Sequence, residues 1–278
     1  MKRFLFIAAL FFVAACQSPT TYTPSISEQE LEQERIRQQH YATQAEIERD
    51  HKSQLRRMDM EQRLLRVAKP VAQAGAELCV QIRPAGSPCV FGFYMERSRG
   101  EPEDAPPRAE GINAYADGEN IFVTPGMMRF IRSDEELAMV LSHELAHNIM
   151  GHVSSQQVNS IAGAIAGLAL DTLAASQGYN TQGGFTNLGS GLATAAYSVE
   201  FEKEADYVGL YIMSQSGYDV NKAENFWRRF AVKVPEAMQT GISHPSTPER
   251  FVAMQKTIYE INYKRKQGIP LIPDFIEQ

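Results

Sequence analysis

Basic residues do not predominate in this chain. Its 278 residues carry 27 Lys and Arg against 33 Asp and Glu, a formal net charge of -6, so it has no electrostatic footprint for nucleic acid. No apolar run reaches the roughly 20 residues of a comfortable membrane span. Phe4 to Ala15 is too short, and Ile161 to Gly178 is interrupted by Asp171. There is no internal repeat, no Gly-rich phosphate cradle and no Ser-His-Asp elbow. Cysteine is scarce: Cys79 and Cys89 have no histidine nearby and make a weak metal pair. Glu28 to Lys69 lacks proline and glycine and favours helix, yet Leu31, Ile36, Ile47, Leu55 and Leu64 keep no clean heptad, which argues against a coiled coil.

The most informative stretch is His143-Glu144-Leu145-Ala146-His147. Histidines four apart on a helix share a face, so both imidazoles can reach one Zn²⁺, and the adjoining glutamate can take a proton from a water held there. Ser133-Asp134-Glu135-Glu136 predicts the helix start as a capping box, and Gly151 its end. Leu137, Leu141, Leu145 and Ile149 recur on the arc opposite the histidines, predicting one face in the core and one offering ligands.

A catalytic zinc site needs a third protein ligand and an open position. A third histidine in the extended motif is absent, because Met150 and Val153 stand where Gly and His are required. His152 would lie about 140° around the helix from His147 and is read as structural. A carboxylate from a second helix, Val199 to Gln215, is the remaining option. Glu202 and Asp206 share one face, Glu200 and Glu204 another, and spacing alone does not choose between the pairs; the losing pair would form a solvated acidic face.

Tyr197-Ser198, Glu202, Glu204-Ala205-Asp206 and Gly209 resemble the second signature of the HtpX-like and CAAX-prenyl-protease-like gluzincin zinc metallopeptidases. Asn113-Ala114-Tyr115-Ala116 resembles that family's active-site edge strand, and His244-Pro245 with Arg250 a downstream element of its periplasmic lipoprotein members. The matches run in the family's order across roughly residues 70 to 260; Val199 stands where the family usually has arginine. The resemblance implies a predominantly helical α+β zincin-like domain with a small sheet or hairpin edge, preceded by a helical tether. It implies one Zn²⁺ held by His143, His147 and Glu202, with Asp206 supporting the ligands and Glu144 as general base. His244 or Arg250 would steady the oxyanion, or His244 would close the fourth zinc position in a self-inhibited resting state.

The substrate is expected as an added strand on Asn113, Ala114 and Tyr115, because Gly111 to Ala116 and Asn120 to Thr124 flank an Asp117-Gly118 turn signal. Lys2, Arg3 and the apolar run after them read as a secretory signal, and Val13-Ala14-Ala15-Cys16 as a lipobox, with Cys16 lipidated and Gln17 favouring the outer membrane. An oxidising compartment would allow a Cys79–Cys89 disulfide around the loop of Pro84, Gly86 and Pro88.

The expected organisation is a signal peptide over 1–15, a lipid-anchored tether and solvated stalk helix over 16–69, a metallopeptidase domain over 70–262 and a tail over 263–278. Glu96 to Glu110 reads as an exposed loop, and 161–191 as buried or groove-covering helices that act as a lid, with a membrane-dipping segment as the alternative. The function these features imply is an envelope metalloendopeptidase facing the periplasm. Its substrates would be unfolded or misassembled envelope proteins, and its partners the outer-membrane assembly machinery or a homologous peptidase. The rival reading is a chaperone-like assembly factor that holds clients with little or no proteolysis; a metal hydrolase of non-peptide substrates is a third.

Overall fold

The computed structural model describes residues 25–45, 57–96, 111–233, 244 and 246–275. The expected signal peptide and Cys16, as well as the loop beyond Glu96, lie outside the described residues. Helices α1 (Glu28–Ala45) and α2 (Arg57–Ile82) come first. Strands β1 (Gly92–Met95), β2 (Ala114–Ala116) and β3 (Asn120–Val123) follow. Helices α3 (Pro125–Phe130), α4 (Asp134–Met150), α5 (His152–Ser176), α6 (Gly184–Gln215), α7 (Ala223–Lys233) and α8 (Pro248–Gln267) complete the domain. This is the predominantly helical α+β architecture expected.

Helix α4 is the centre. Every residue from Glu136 to Ile149 is buried, with α2 and α6 packed against it. It therefore has no solvent face, and the expected division into a core arc and a ligand arc becomes a division between two interiors. Ser133 caps its start, the Oγ accepting from Glu136 N at 3.2 Å. The reciprocal half of the capping box is diverted: the Glu136 carboxylate accepts from Arg132 N and pairs with Arg229 of α7. At the other end Gly151 adopts φ +71°, a left-handed cap that a side chain would strain.

Pro70, where the catalytic domain was expected to begin, sits inside α2. Met60, Leu64 and Val67 before it and Val71 and Leu78 after it enter the same core, so the packed unit starts near Met60. The stalk reading is corrected for α1 as well. Glu34 is fully buried and paired with Arg228 of α7 at 2.6 Å, and Glu30 pairs with Lys256 of α8 at 2.8 Å. Glu, Gln and Arg in that stretch thus serve docking as well as solvation. The boundary expected at 262 falls within α8, and the chain after it folds back: Lys264 Nζ donates to Ile272 O at 2.9 Å, and Asp274 N donates to the Tyr207 hydroxyl at 3.0 Å.

The sheet order is β1-β3-β2, with β1 parallel and β2 antiparallel to β3. Among the described residues β2 is an outer strand. Cys79 and Cys89 form the anticipated disulfide, joining the end of α2 to the approach to β1.

Candidate metal centre

His143 and His147 project from α4 toward Glu202 of α6, and the segment before α8 brings His244 against all three. Four donor atoms converge. His143 Nε2 and His147 Nε2 are 3.1 Å apart, and each lies 3.2 Å from a Glu202 carboxylate oxygen. His244 Nδ1 lies 3.1 and 3.2 Å from the two Glu202 oxygens and 3.4 Å from His143 Nε2. Zn–N distances near 2.0–2.1 Å in a tetrahedron require ligand atoms about 3.3–3.4 Å apart. The cluster has the donor types and the spacing for that ion.

The partners behind the donors fix their orientation. His143 Nδ1 lies 3.0 Å from Asp206 Oδ1. His147 Nδ1 lies 2.9 Å from His152 Nδ1, and His152 Nε2 lies 2.8 Å from Glu204 Oε2. A carboxylate only accepts, so His152 donates from Nε2 and accepts at Nδ1. His147 then donates from Nδ1, which leaves its Nε2 lone pair facing the cluster. The chain Glu204–His152–His147 thus selects the metal-binding tautomer.

Sequence reasoning missed this relay. It carried His152 around an unbroken helix, whereas the left-handed Gly151 ends α4 and starts α5, bringing His152 back beside His147. Glu204, on the face that spacing left open, is buried against His152, while Glu200 is half-exposed beside Lys203. The glycine before the histidine was the available signal.

Arg250 is placed behind the ligands, which corrects the oxyanion role expected of it. Its guanidinium is 2% exposed and binds Asp206 through Nε and Nη2, both at 2.8 Å. Nη1 reaches Glu202 Oε2 at 2.9 Å, and the group lies over the Trp227 ring at 4.4 Å. This fork holds two carboxylates in place and does not face a cleft. In turn, Arg250 supplies α6 with a buried cation although Val199 replaces the family's arginine.

The electrostatics agree with this geometry. Burial opposes ionisation of Glu202, but the charges of His244 and Arg250 outweigh it and hold the carboxyl well below its usual range. Burial likewise disfavours a charged His143, yet Glu202 and Asp206 raise it to about 9. Burial dominates at His147 and lowers it to about 3. Metal binding therefore competes with a proton at His143 and meets a neutral imidazole at His147.

Glu144 is buried beside the cluster, with Oε1 3.4 Å from His244 Nε2. Its Oε2 is a buried acceptor without a hydrogen-bond partner among the described residues. Such an oxygen is costly to bury unless something is to be bound there, which suits a base awaiting a water. The hairpin β2–β3 is tied to the same helix: Asn148 Oδ1 accepts from Gly118 N at 2.7 Å and Asn148 Nδ2 donates to Asn120 O at 3.1 Å. Asn113 is paired through its N–H to Thr124 Oγ1 at 3.1 Å, and Tyr115 stacks on Phe122.

Two histidines one helical turn apart, a glutamate beside the first and a carboxylate from a second helix define a gluzincin-type metallopeptidase site. The chain belongs to peptidase family M48, which its residues 102–258 match. This region is accordingly a metallopeptidase domain, and zinc is the metal of that family. Among similar proteins is the mitochondrial metalloendopeptidase OMA1 of Schizosaccharomyces pombe, 30% identical over 158 residues, covering 55% of this chain and 46% of that protein. The OMA1 of Saccharomyces cerevisiae is 28% identical over 166 residues, covering 54% of this chain and 47% of that protein. A putative beta-barrel assembly-enhancing protease of Vibrio cholerae is 28% identical over 173 residues, covering 58% and 33% of the two chains. The matched region spans less than half the length of each of these relatives.

Proposed function

We propose that the protein is a zinc metalloendopeptidase of the bacterial envelope that cleaves unfolded or misassembled periplasmic and outer-membrane proteins. The observation that carries the reading is the unpartnered buried Oε2 of Glu144 beside a complete donor set. His143, His147 and Glu202 would hold the metal. Zinc bound there supplies a Lewis acid that activates water and polarises the scissile carbonyl. Glu144 takes the proton of the attacking water at its free oxygen and delivers it to the leaving amine. Asp206, Arg250, His152 and Glu204 keep the ligand side chains from rotating. The outer strand β2, with Ala114 and Tyr115, offers an edge to an extended polypeptide, which favours unfolded clients over folded ones; Asn113, expected on that edge, has its own N–H and C=O taken by Thr124.

The envelope location rests on the lipobox ending at Cys16 and on relatives named for beta-barrel assembly. The fungal relatives are named as mitochondrial, so the lipobox, which would also anchor the chain in the outer membrane, distinguishes the two settings. His244 has its Nδ1 among the ligand atoms, which supports the self-inhibited resting state over the oxyanion role. The chaperone-like reading gains support if that block is never relieved.

The test is zinc content together with cleavage of an unfolded protein such as casein by wild type, Glu144→Gln and His244→Ala. About one zinc per chain, cleavage lost in Glu144→Gln and raised in His244→Ala is the expected pattern. Zinc without cleavage in wild type and His244→Ala would leave a client-holding role, and absence of zinc from a folded, metal-replete sample would refute the reading.

A further inference from the structure

Helices α5 and α6 form an antiparallel hairpin that is inverted with respect to water. Its inner seam is small and polar. Ser160 Oγ meets Ser190 Oγ at 2.6 Å, and an added Cβ would lie 2.0 Å from Phe185 O at Gly167 and 2.2 Å from Gly163 O at Gly189. The two backbones are therefore in direct contact, a mode of helix association that needs no hydrophobic drive between the helices. The outer surface is apolar: Ile161 is 60% exposed, Ile165 65%, Leu168 57% and Leu173 61%, with Phe185 and Leu188 exposed on α6. A hairpin stable in water alone would have the opposite arrangement. The expectation that 161–191 forms buried helices is thus overturned, and the membrane alternative gains support.

Charge is nearly absent. From Val153 to Val199 the only Asp, Glu, Lys or Arg is Asp171. Its carboxylate is satisfied within the hairpin, accepting from the hydroxyl of Thr181, from Phe185 N at 3.2 Å, and from Thr186 N at 2.9 Å and Oγ1 at 2.7 Å. Those bonds also occupy backbone N–H groups at the start of α6 that hydrocarbon would leave unpaired. Helix α5, with 25 residues, is about 37 Å long, against a bilayer hydrocarbon thickness of about 30 Å. It is neither a buried core helix nor an N-terminal leader, the two ordinary reasons for a soluble chain to contain so apolar a helix.

We infer that the α5–α6 hairpin inserts into a lipid bilayer, independently of the peptidase reading and of any anchor at Cys16. A second copy of the chain fits the surface less well. The exposed apolar residues of α5, from Leu168 through Ile161, Ile165, Val158 and Leu173 to Leu170, spread over about 200° of the helix, as a surrounding solvent requires and a flat protein face does not. The insertion would seat the metal cluster near the interface. His152, at the base of α5, touches His147, and Glu202 lies fourteen residues, or about 21 Å, along α6 from the exposed Leu188.

The chain has a single tryptophan, Trp227, buried against His143, so an indole introduced at exposed Leu168 reports on the hairpin alone. Full-length Leu168→Trp is mixed with phosphatidylcholine vesicles whose acyl chains carry bromine. The added indole is expected to shift to the blue and be quenched, while the emission of wild type is unchanged. Adding Ile161→Glu and Ile165→Glu should cut that quenching at least ~10-fold, with helix content and zinc binding retained as the check on folding. An indole that stays in water on vesicle-bound protein overturns the inference. A blue shift that follows protein concentration without vesicles overturns it in favour of a second copy.

Discussion

Asn148 Oδ1 accepts the backbone N–H of Gly118 at 2.7 Å, so the residue after the second metal-site histidine also holds the turn of the β2–β3 hairpin. Two of the four donors and the turn that carries the outer strand are thus positioned from one helix. Asn148→Ala should therefore misplace β2 without removing a ligand. Zinc content is expected to persist, stability to fall by about 1–3 kcal/mol from the unpaired backbone groups, and KM for an unfolded substrate to rise more than kcat falls. Equal effects on both constants would contradict a positioning role for this contact.

The relay from Glu204 through His152 to His147 makes a separate prediction. His152→Ala should weaken zinc binding by roughly 10–100-fold, as measured by competition with a chromophoric chelator. Glu204→Gln should weaken it less, because the amide still offers an oxygen to accept from His152 Nε2. Unchanged affinity in both variants would show that the tautomer of His147 is set elsewhere.

Arg250 and Asp206 are both buried, and removing either breaks a two-bonded ion pair and leaves the other with fewer partners than its burial requires. Asp206→Ala is expected to cost about 3–5 kcal/mol of folding stability and to loosen His143 as well, so denaturant midpoint and zinc affinity should fall together. Glu144→Gln provides the contrast: activity disappears while stability and zinc content stay at wild-type levels. A stable but inactive Asp206→Ala would assign Asp206 to chemistry and not to support.

Asp134 at the start of α4 bonds Arg63 Nε at 2.8 Å and Arg66 Nη2 at 2.9 Å, fastening α2 to α4. Burial raises its pKa, but the two guanidinium groups prevail and hold it below its ordinary 3.8. The folded form thus binds its proton less readily than the unfolded chain. The stabilisation is complete above pH 3.8 and is lost as the pH falls through the lower folded value. Asp134→Asn should remove about 0.5–1 kcal/mol at neutral pH, a partly exposed pair being screened by salt, and should flatten the acid limb of a stability–pH curve between wild type and variant.

Much of the centre was legible because its signals are local. His143, Glu144 and His147 follow from helical spacing, Ser133 and Gly151 from the chemistry of caps, and the turn at Asp117-Gly118 from its dipeptide. Glu202 needed the family resemblance, since Glu204 satisfied the same periodicity. What stayed hidden depends on tertiary context. The docking of α1 through Glu34 is indistinguishable in sequence from solvation, and Arg250 could not be aimed before α8 was placed. Burial, a covered groove and a membrane are not told apart in sequence for the α5–α6 surface, because apolar side chains at 161–173 say what they avoid, not which way they face.

Gly209 of α6 has its Cα where a methyl group would stand 3.1 Å from the backbone N and Cα of His143 and from Ser142 O. The neighbours are main chain and cannot swing aside, so even alanine would push α4 and α6 apart by a few tenths of an ångström. That is comparable with the difference in bond length between one divalent ion and another. The separation of the two ligand helices is therefore set in part by an atom that is missing, and Gly209→Ala would be expected to loosen the metal centre without removing any ligand, read as a weaker zinc affinity.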